Sequence, residues 1–147
     1  SMLESMVPAG AVLWSEGLEF IFSSRTPLDE RGVSETGITA MSRRGLRFMS
    51  DLSYYYCAYW KPRLRKEDIA LHQMLIEPGS TRNISYGLLF LMKEGYSPAR
   101  LVRVGEALGA MTLAEEAAKY LSGGVTDSPY FPSRTDMAEL RAQYEVS

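Results

Sequence analysis

Residues 66 to 109 read KEDIALHQMLIEPGSTRNISYGLLFLMKEGYSPARLVRVGEALG and carry sharp helix signals. Apolar residues recur at helical spacing, and the Pro-Gly pair at 78–79 interrupts them where a helix has to end. A hydroxyl residue at 80–81 can cap a second helix. The Ser-Pro pair at 97–98 is a strong start for a third, since proline at the first helical position gives up only an unpaired amide. The stretch therefore predicts three helices, which end by Glu77, Gly95 and Gly109.

Two more helices are predicted downstream. Thr112 with Glu115 has the spacing of a capping box, which would open a fourth helix. Ser133 with Asp136 has the same spacing and starts a last helix over residues 135–145. Short capped helices joined by short loops favour a compact bundle or an array of helix pairs, in which the third and fourth helices form a helical hairpin.

The chain before residue 38 is typical of strand and loop. Residues 11–14 and 18–22 are short apolar runs separated by Gly17, which favours a β-hairpin with glycine at a positive φ. Residues 23–37 hold one proline, two glycines and five charges without a sustained period, so we predict an exposed loop.

The following segment is ambiguous. Leu46 and Phe48 suit a strand, whereas apolar and aromatic residues from Met49 onward also recur at helical spacing. We favour a strand over residues 45–49 and a helix from about Leu52. The expected fold class is thus mainly α (α+β). A small N-terminal β-hairpin or sheet in residues 1–50 is followed by a compact bundle of about five short helices in residues 51–146.

The length of 147 residues is that of a single domain. Ser1 before Met2 is typical of the remnant of a cleaved tag, which leaves open that the chain is a fragment of a longer protein. One cysteine, Cys57, makes no intramolecular disulfide, and no basic-then-apolar leader is visible, so a cytoplasmic location is expected. The apolar runs are far shorter than the roughly 20 residues of a membrane-spanning helix, so no membrane partner is expected.

Charge is unevenly distributed along the chain. Residues 43–66, the basic-aromatic segment, hold seven basic residues against one acidic residue, a balance of +6. Because the whole chain carries −2, the remainder sums to −8. Aromatic residues crowd into the same segment. The candidate residues for binding nucleic acid or a protein partner are Arg43, Arg44, Arg47, Lys61, Arg63, Arg65, Lys66, Tyr55 and Trp60.

Three interpretations of this segment stay open. Arginines neutralise phosphates while tyrosines stack on bases, as in proteins that bind single-stranded nucleic acid. Alternatively, the tyrosines seat a helix on the small sheet, and the arginines are solvated or paired with the acidic remainder of the fold. The third interpretation is a docking surface for a protein partner.

The sequence contains no recognisable catalytic constellation. His72 lies beside the apolar face of its helix, and no cysteine or second histidine is spaced to share a metal with it. Cys57 is expected to be a small buried residue among tyrosines, and Glu115 and Glu116 to be surface charges at a helix start. The glycines fit no nucleotide-binding loop, so no cofactor is expected. A non-enzymatic protein is predicted, unless a deep pocket gathers His72 with carboxylates.

Part of the chain resembles a known family. The run KEDIALHQML at 66–75, then RNISYGLLFLMK at 82–93, a helix pair and Phe-Pro-Ser at 131–133 before a last helix are similar to abortive-infection Ei-type regulators. The resemblance covers the C-terminal part of that family, at about residues 45–146.

The resemblance implies a function in a type IV toxin–antitoxin pair. In that family an N-terminal winged helix binds DNA, and the domain after it helps to neutralise a nucleotidyltransferase toxin. This chain departs from the pattern because no complete helix-turn-helix is recognisable before residue 45. The expected function is therefore a regulatory, antitoxin-like protein-interaction module that is part of a transcriptional regulator, and a nucleic-acid-binding module that uses residues 43–66 is the alternative. Oligomeric state leaves no trace in the sequence.

Overall fold

The computed structural model describes residues 12–16, 19–28, 32–58 and 63–147. Within these ranges a small sheet is followed by helices, which confirms the α+β fold class. The elements in chain order are β1 Val12–Glu16, β2 Glu19–Ser24, β3 Val33–Glu35, α1 Gly37–Arg43, β4 Ser53–Cys57, α2 Lys66–Ile76, α3 Thr81–Glu94, α4 Pro98–Ala107, α5 Met111–Leu121 and α6 Arg134–Gln143.

The sheet is antiparallel with the strand order β1-β2-β4-β3. Strands β1 and β2 form the predicted hairpin, although both extend beyond the predicted runs, and Gly17 lies outside the described residues. The exposed loop predicted for residues 23–37 is wrong in part. Ser23 and Ser24 are buried in β2, and β3 adds a strand beside β4. Residues 25–27 are exposed and form no strand or helix, as predicted, and residues 29–31 lie outside the described residues.

Both faces of the sheet are covered, which explains why β2 lacks an alternating pattern. Phe20 and Phe22 pair across the sheet with Cys57 and Tyr55, and they form a small apolar cluster on the outer face. Ile21 pairs with Tyr56 on the other face, where both belong to the main core with the helices. A strand that is buried on both faces is apolar almost throughout.

The predictions for residues 45–49 and for a helix from Leu52 are wrong. Residues 46–52 form no strand or helix, and the tyrosines lie in strand β4, whose aromatic residues suit a sheet that is packed on both faces. Helix α1 was not predicted because its start is capped by another helix. The Ile38 amide donates to Gln73 Oε1 at 2.8 Å, and the Thr36 hydroxyl lies 2.6 Å from His72 Nδ1.

The predicted helices from residue 66 onward are confirmed with small shifts of their ends. Ser80, Ser97 and Ser133 each accept a hydrogen bond from an amide three residues later, as serine caps do. The capping box at Thr112 is wrong, because α5 begins at Met111 and no side chain caps it. Its start follows from the tight α4–α5 turn, in which the Ala110 amide donates to the Gly105 carbonyl at 2.7 Å.

Helix α2 lies at the centre of the molecule. Every residue from 67 to 75 is buried, and the helix packs against α1, α3, α4 and β1. Helices α4 and α5 pack closely as the predicted helical hairpin. None of the described helices is long and apolar enough to cross a bilayer.

The α4–α5 contact predicts the effect of one methyl group. A Cβ at Gly105 would overlap the Ala114 methyl and lie 3.1 Å from the Ala110 carbonyl oxygen. Such overpacking costs about 1–3 kcal/mol and outweighs the gain in helix propensity of up to about 1 kcal/mol, so Gly105→Ala should lower the free energy of unfolding. Urea denaturation measures it. Gly79→Ala is the control, since its Cβ would meet only Tyr130 at 3.9 Å, and equal stability of the two variants would contradict the prediction.

The buried amide of Gln73 yields a second prediction. Its Oε1 accepts from Ile38 and its Nε2 donates to Asn83 Oδ1 at 3.0 Å. Gln73→Leu leaves two buried polar groups without these partners and should lower the free energy of unfolding by about 2–4 kcal/mol. The same replacement at exposed Gln143 should change it by less than about 0.5 kcal/mol. Chemical denaturation measures both variants. A loss for Gln73→Leu as small as that for Gln143→Leu would contradict the prediction.

Candidate functional site

The basic-aromatic segment does not form one surface. Its described cations lie in three places: a cleft beside α1, a second cleft between the start of α2 and helix α4, and the C-terminal end of α3. Lys61 and Trp60 lie outside the described residues. Clustering along the sequence is thus only partly clustering in space.

The second cleft gathers four arginines in a cavity of about 420 Å³, which we name the arginine cleft. Two of them precede α2, and the other two lie three residues apart on α4 and therefore on one side of that helix. Val104 and Ala107 of α4 supply its apolar surface. The charged residues that line it are Arg63, Arg65, Asp68, Arg100 and Arg103.

Two buried carboxylates lie at this cleft and hold its elements together. Glu67 is 0% exposed; its Oε2 accepts from the Ser97 amide at 3.0 Å, and its Oε1 lies 3.8 Å from Arg100 Nη1. Asp68 accepts from the Arg65 amide at 2.9 Å. The carboxylates thus fix the starts of α4 and α2, and they offset part of the charge of the arginines.

Arg63, Arg65 and Arg103 differ from Arg100 in their contacts. All three are exposed, and none makes an ion pair within the described part of the chain. Arg63 and Arg65 belong to the predicted binding residues, whereas Arg100 and Arg103 were not predicted. They lie more than thirty residues further along the chain, and only the packing of α4 on α2 brings them to the same cleft.

Arg44 and Lys66 have a structural role at the end of α3. Arg44 Nη1 lies 3.2 Å from Glu94 Oε1, and Lys66 Nζ donates to the Glu94 carbonyl at 3.2 Å. Burial alone would raise the pKa of the Glu94 carboxyl, but hydrogen bonds from Lys93 and Arg44 outweigh it and leave that pKa below its usual range. Cations at this position stabilise the carbonyl end of a helix.

Arg43 and Arg47 line a cavity of about 460 Å³ between α1, β4 and residues 46–52, which we name the α1 cleft. Arg43 forms a bidentate pair with Glu35, with Nε–Oε1 and Nη2–Oε2 distances of 3.1 and 3.2 Å. Tyr55 also reaches this cleft but is only 2% exposed, and its hydroxyl accepts from the Leu28 amide. Its ring is a core side chain with no face open to a base.

His72 is at the centre of a buried polar cluster and has 0% exposure. Its ring stacks on Tyr56 at a centroid distance of 4.5 Å, and Asp68 lies one turn earlier on α2. The Tyr56 hydroxyl donates to Glu19 Oε1 at 2.9 Å; burial first and this hydrogen bond second raise the pKa of Tyr56. The cluster joins the sheet to α2, and no face of the histidine ring is open to solvent.

Other groups with chemical potential are also placed in packing positions. Cys57 is half-buried against the outer cluster of the sheet, and burial raises the pKa of its thiol, which disfavours the reactive thiolate. Within the described residues, no three His, Cys, Asp or Glu side chains are placed to hold a metal ion.

No protein-family model matches the sequence, and no curated protein or solved structure is significantly similar to it. The resemblance to abortive-infection Ei-type regulators therefore stays a prediction. The geometry of the clefts is the basis for a functional proposal.

Within the arginine cleft, the arginine next to a buried carboxylate and an arginine without an ion pair should differ in their effect on the free energy of unfolding. Arg100→Ala removes the cation nearest the buried Glu67 carboxylate and should lower the free energy of unfolding by about 1–2 kcal/mol, a reduced effect because Arg100 is 37% exposed. Arg103→Ala, on the same helix, should change it by less than about 0.5 kcal/mol. Thermal and urea denaturation of both variants test this, and a larger loss for Arg103→Ala would contradict the assignment.

Proposed function

We propose that the protein is a non-catalytic binding module whose arginine cleft receives an acidic segment of a protein partner. One observation carries the proposal: four guanidinium groups from two separate elements line a single cleft, and three of them make no ion pair within the described residues. Guanidinium groups bind carboxylates by paired, planar hydrogen bonds. A cleft of this kind suits aspartate or glutamate side chains.

The lining of the cleft favours a protein segment over a nucleic acid, because no aromatic ring is among the described residues that line it. Tyr55 and Tyr56, which would supply base stacking, are each 2% exposed. Val104 offers apolar contact beside the arginines, as an acidic peptide with interspersed apolar residues requires.

The absence of catalysis is part of the proposal. It is supported by the burial of His72, because a general base needs contact with substrate. It is also supported by the raised pKa of the Cys57 thiol, because the nucleophile is the thiolate and a raised pKa disfavours it. A regulatory, antitoxin-like function agrees with such a module. The resemblance of the sequence supplies one specific candidate partner, a nucleotidyltransferase toxin that would present the acidic segment.

The proposal is tested by fluorescence anisotropy with the full chain and a labelled Asp/Glu-rich peptide that contains leucine. Arg63→Ala/Arg103→Ala should weaken binding by about tenfold or more, because it removes two of the three guanidinium groups that lack an ion pair, one from each element of the cleft. Arg25→Ala/Arg82→Ala removes the same formal charge from exposed positions outside the cleft and is the matched control. It should retain most of the affinity of the unaltered chain.

The other interpretation is an outcome of the same measurement. Labelled DNA and RNA are titrated at two salt concentrations, and tight, strongly salt-dependent binding that is lost in Arg63→Ala/Arg103→Ala would replace the protein partner by a nucleic acid. Equal losses in both double variants would show a net-charge effect and remove the arginine cleft as the site. The chain can also be co-expressed with a nucleotidyltransferase that a neighbouring gene encodes. A complex that forms with the unaltered chain and is lost in Arg63→Ala/Arg103→Ala would identify that partner.

A further inference from the structure

The α1 cleft is a second site and does not depend on the arginine cleft. Its volume of about 460 Å³ lies within the usual range of roughly 300–1,000 Å³ for small-molecule pockets. Ile38 and Phe48 line it and are 7% and 8% exposed, and the Phe48 ring stacks on Tyr86 with a centroid distance of 3.7 Å. The cleft therefore combines a small apolar area with the polar groups of α1 and β4.

The polar groups of this cleft suit a compact anion. Arg43 and Arg47 both line it, and Arg47 is exposed and makes no ion pair within the described part of the chain. Ser42 and Ser53 line the same cavity, and a serine hydroxyl is able to donate to an oxygen atom of a ligand. Guanidinium and hydroxyl donors around one cavity are the groups that bind a phosphate.

Glu35 acts as an internal competitor at this site. Its carboxylate occupies the fork of Arg43, but the arginine side chain is 76% exposed and that of Glu35 is 33% exposed. Exposed ion pairs contribute only about 0–1 kcal/mol, so a ligand anion can take the place of this carboxylate at little cost. The guanidinium is already turned toward a planar, two-oxygen partner, which a phosphate also presents.

We propose that the α1 cleft binds a small phosphomonoester with an apolar body. The phosphate contacts Arg47 and exchanges with Glu35 for Arg43, the serine hydroxyls donate to its remaining oxygens, and the apolar body packs against Ile38 and Phe48. No bond of the ligand is broken. The site is a binding site for a metabolite-sized anion, and its existence is independent of the partner proposed for the arginine cleft.

Calorimetric titration of the full chain with phenyl phosphate tests the proposal. Arg47→Ala should weaken binding by about tenfold, whereas Glu35→Gln should strengthen it several-fold, because the competing carboxylate is replaced by a neutral amide of the same shape. Lys119→Ala, which removes one exposed cation of α5 outside both clefts, should leave the affinity unchanged. Three further ligands are compared with phenyl phosphate. Inorganic phosphate lacks the apolar body, benzoate lacks the second charge, and phenol lacks any charge.

Each outcome decides the proposal. Stronger binding to Glu35→Gln together with weaker binding to Arg47→Ala supports it, since a general charge effect alone would not make binding depend on Arg47 and be independent of Lys119. No heat of binding, an unchanged affinity in Arg47→Ala, or an equal loss in Lys119→Ala overturns it. Benzoate or phenol that binds as tightly as phenyl phosphate overturns the phosphate assignment. Thermal melts of the variants confirm that they fold, and the Glu35→Gln result stands alone should Arg47→Ala unfold.

Discussion

The described structure depends on hydrogen bonds that polar side chains of α2 accept from backbone amides of its neighbours. Gln73 accepts from the first turn of α1, and Glu67 accepts from the Ser97 amide where α4 begins. Both side chains are fully or almost fully buried. An unpaired polar group in such a place costs about 1–3 kcal/mol or more, so α1 and α4 are each held at the one position that satisfies α2.

Both clefts follow from this constraint. The start of α4 is fixed by Glu67, and its first turns then carry Arg100 and Arg103 to the cations that precede α2. The start of α1 is fixed by Gln73, and its last turn carries Arg43 to the cavity beside β4. The buried helix therefore sets the spacing of exposed groups on two sides of the molecule, although none of its own side chains has to be exposed.

The same constraint explains how far the fold was predictable. Helices that are capped by their own serines, as at Ser80, Ser97 and Ser133, were recognised because the signal is local. Helix α1 was missed since its cap comes from a residue 35 positions away. Strand β4 was read as a helix because Tyr55 and Tyr56 face opposite sides of a doubly buried sheet, and burial on both faces removes the alternation that marks a strand.

The candidate site was predictable in part, because the sequence shows which residues are cations but not which contacts each cation makes in the folded chain. Arg44 and Lys66 were correctly seen as part of a basic segment, but the folded chain uses them at the carbonyl end of α3. Arg63 remains without an ion pair in the described structure and is joined by Arg100 and Arg103, whose contribution depends on tertiary packing.

Stability does not account for this gathering of arginines. Like charges at neighbouring positions of one helix destabilise it by about 0.2–0.5 kcal/mol, and Arg100 and Arg103 add to the cations before α2. One buried carboxylate needs Arg100 nearby, but nothing in the described contacts needs Arg103. A folded chain that carries −2 overall and still concentrates guanidinium groups in one cleft bears a local electrostatic cost, which an anionic partner would remove. This local cost supports the binding role that we propose for the cleft.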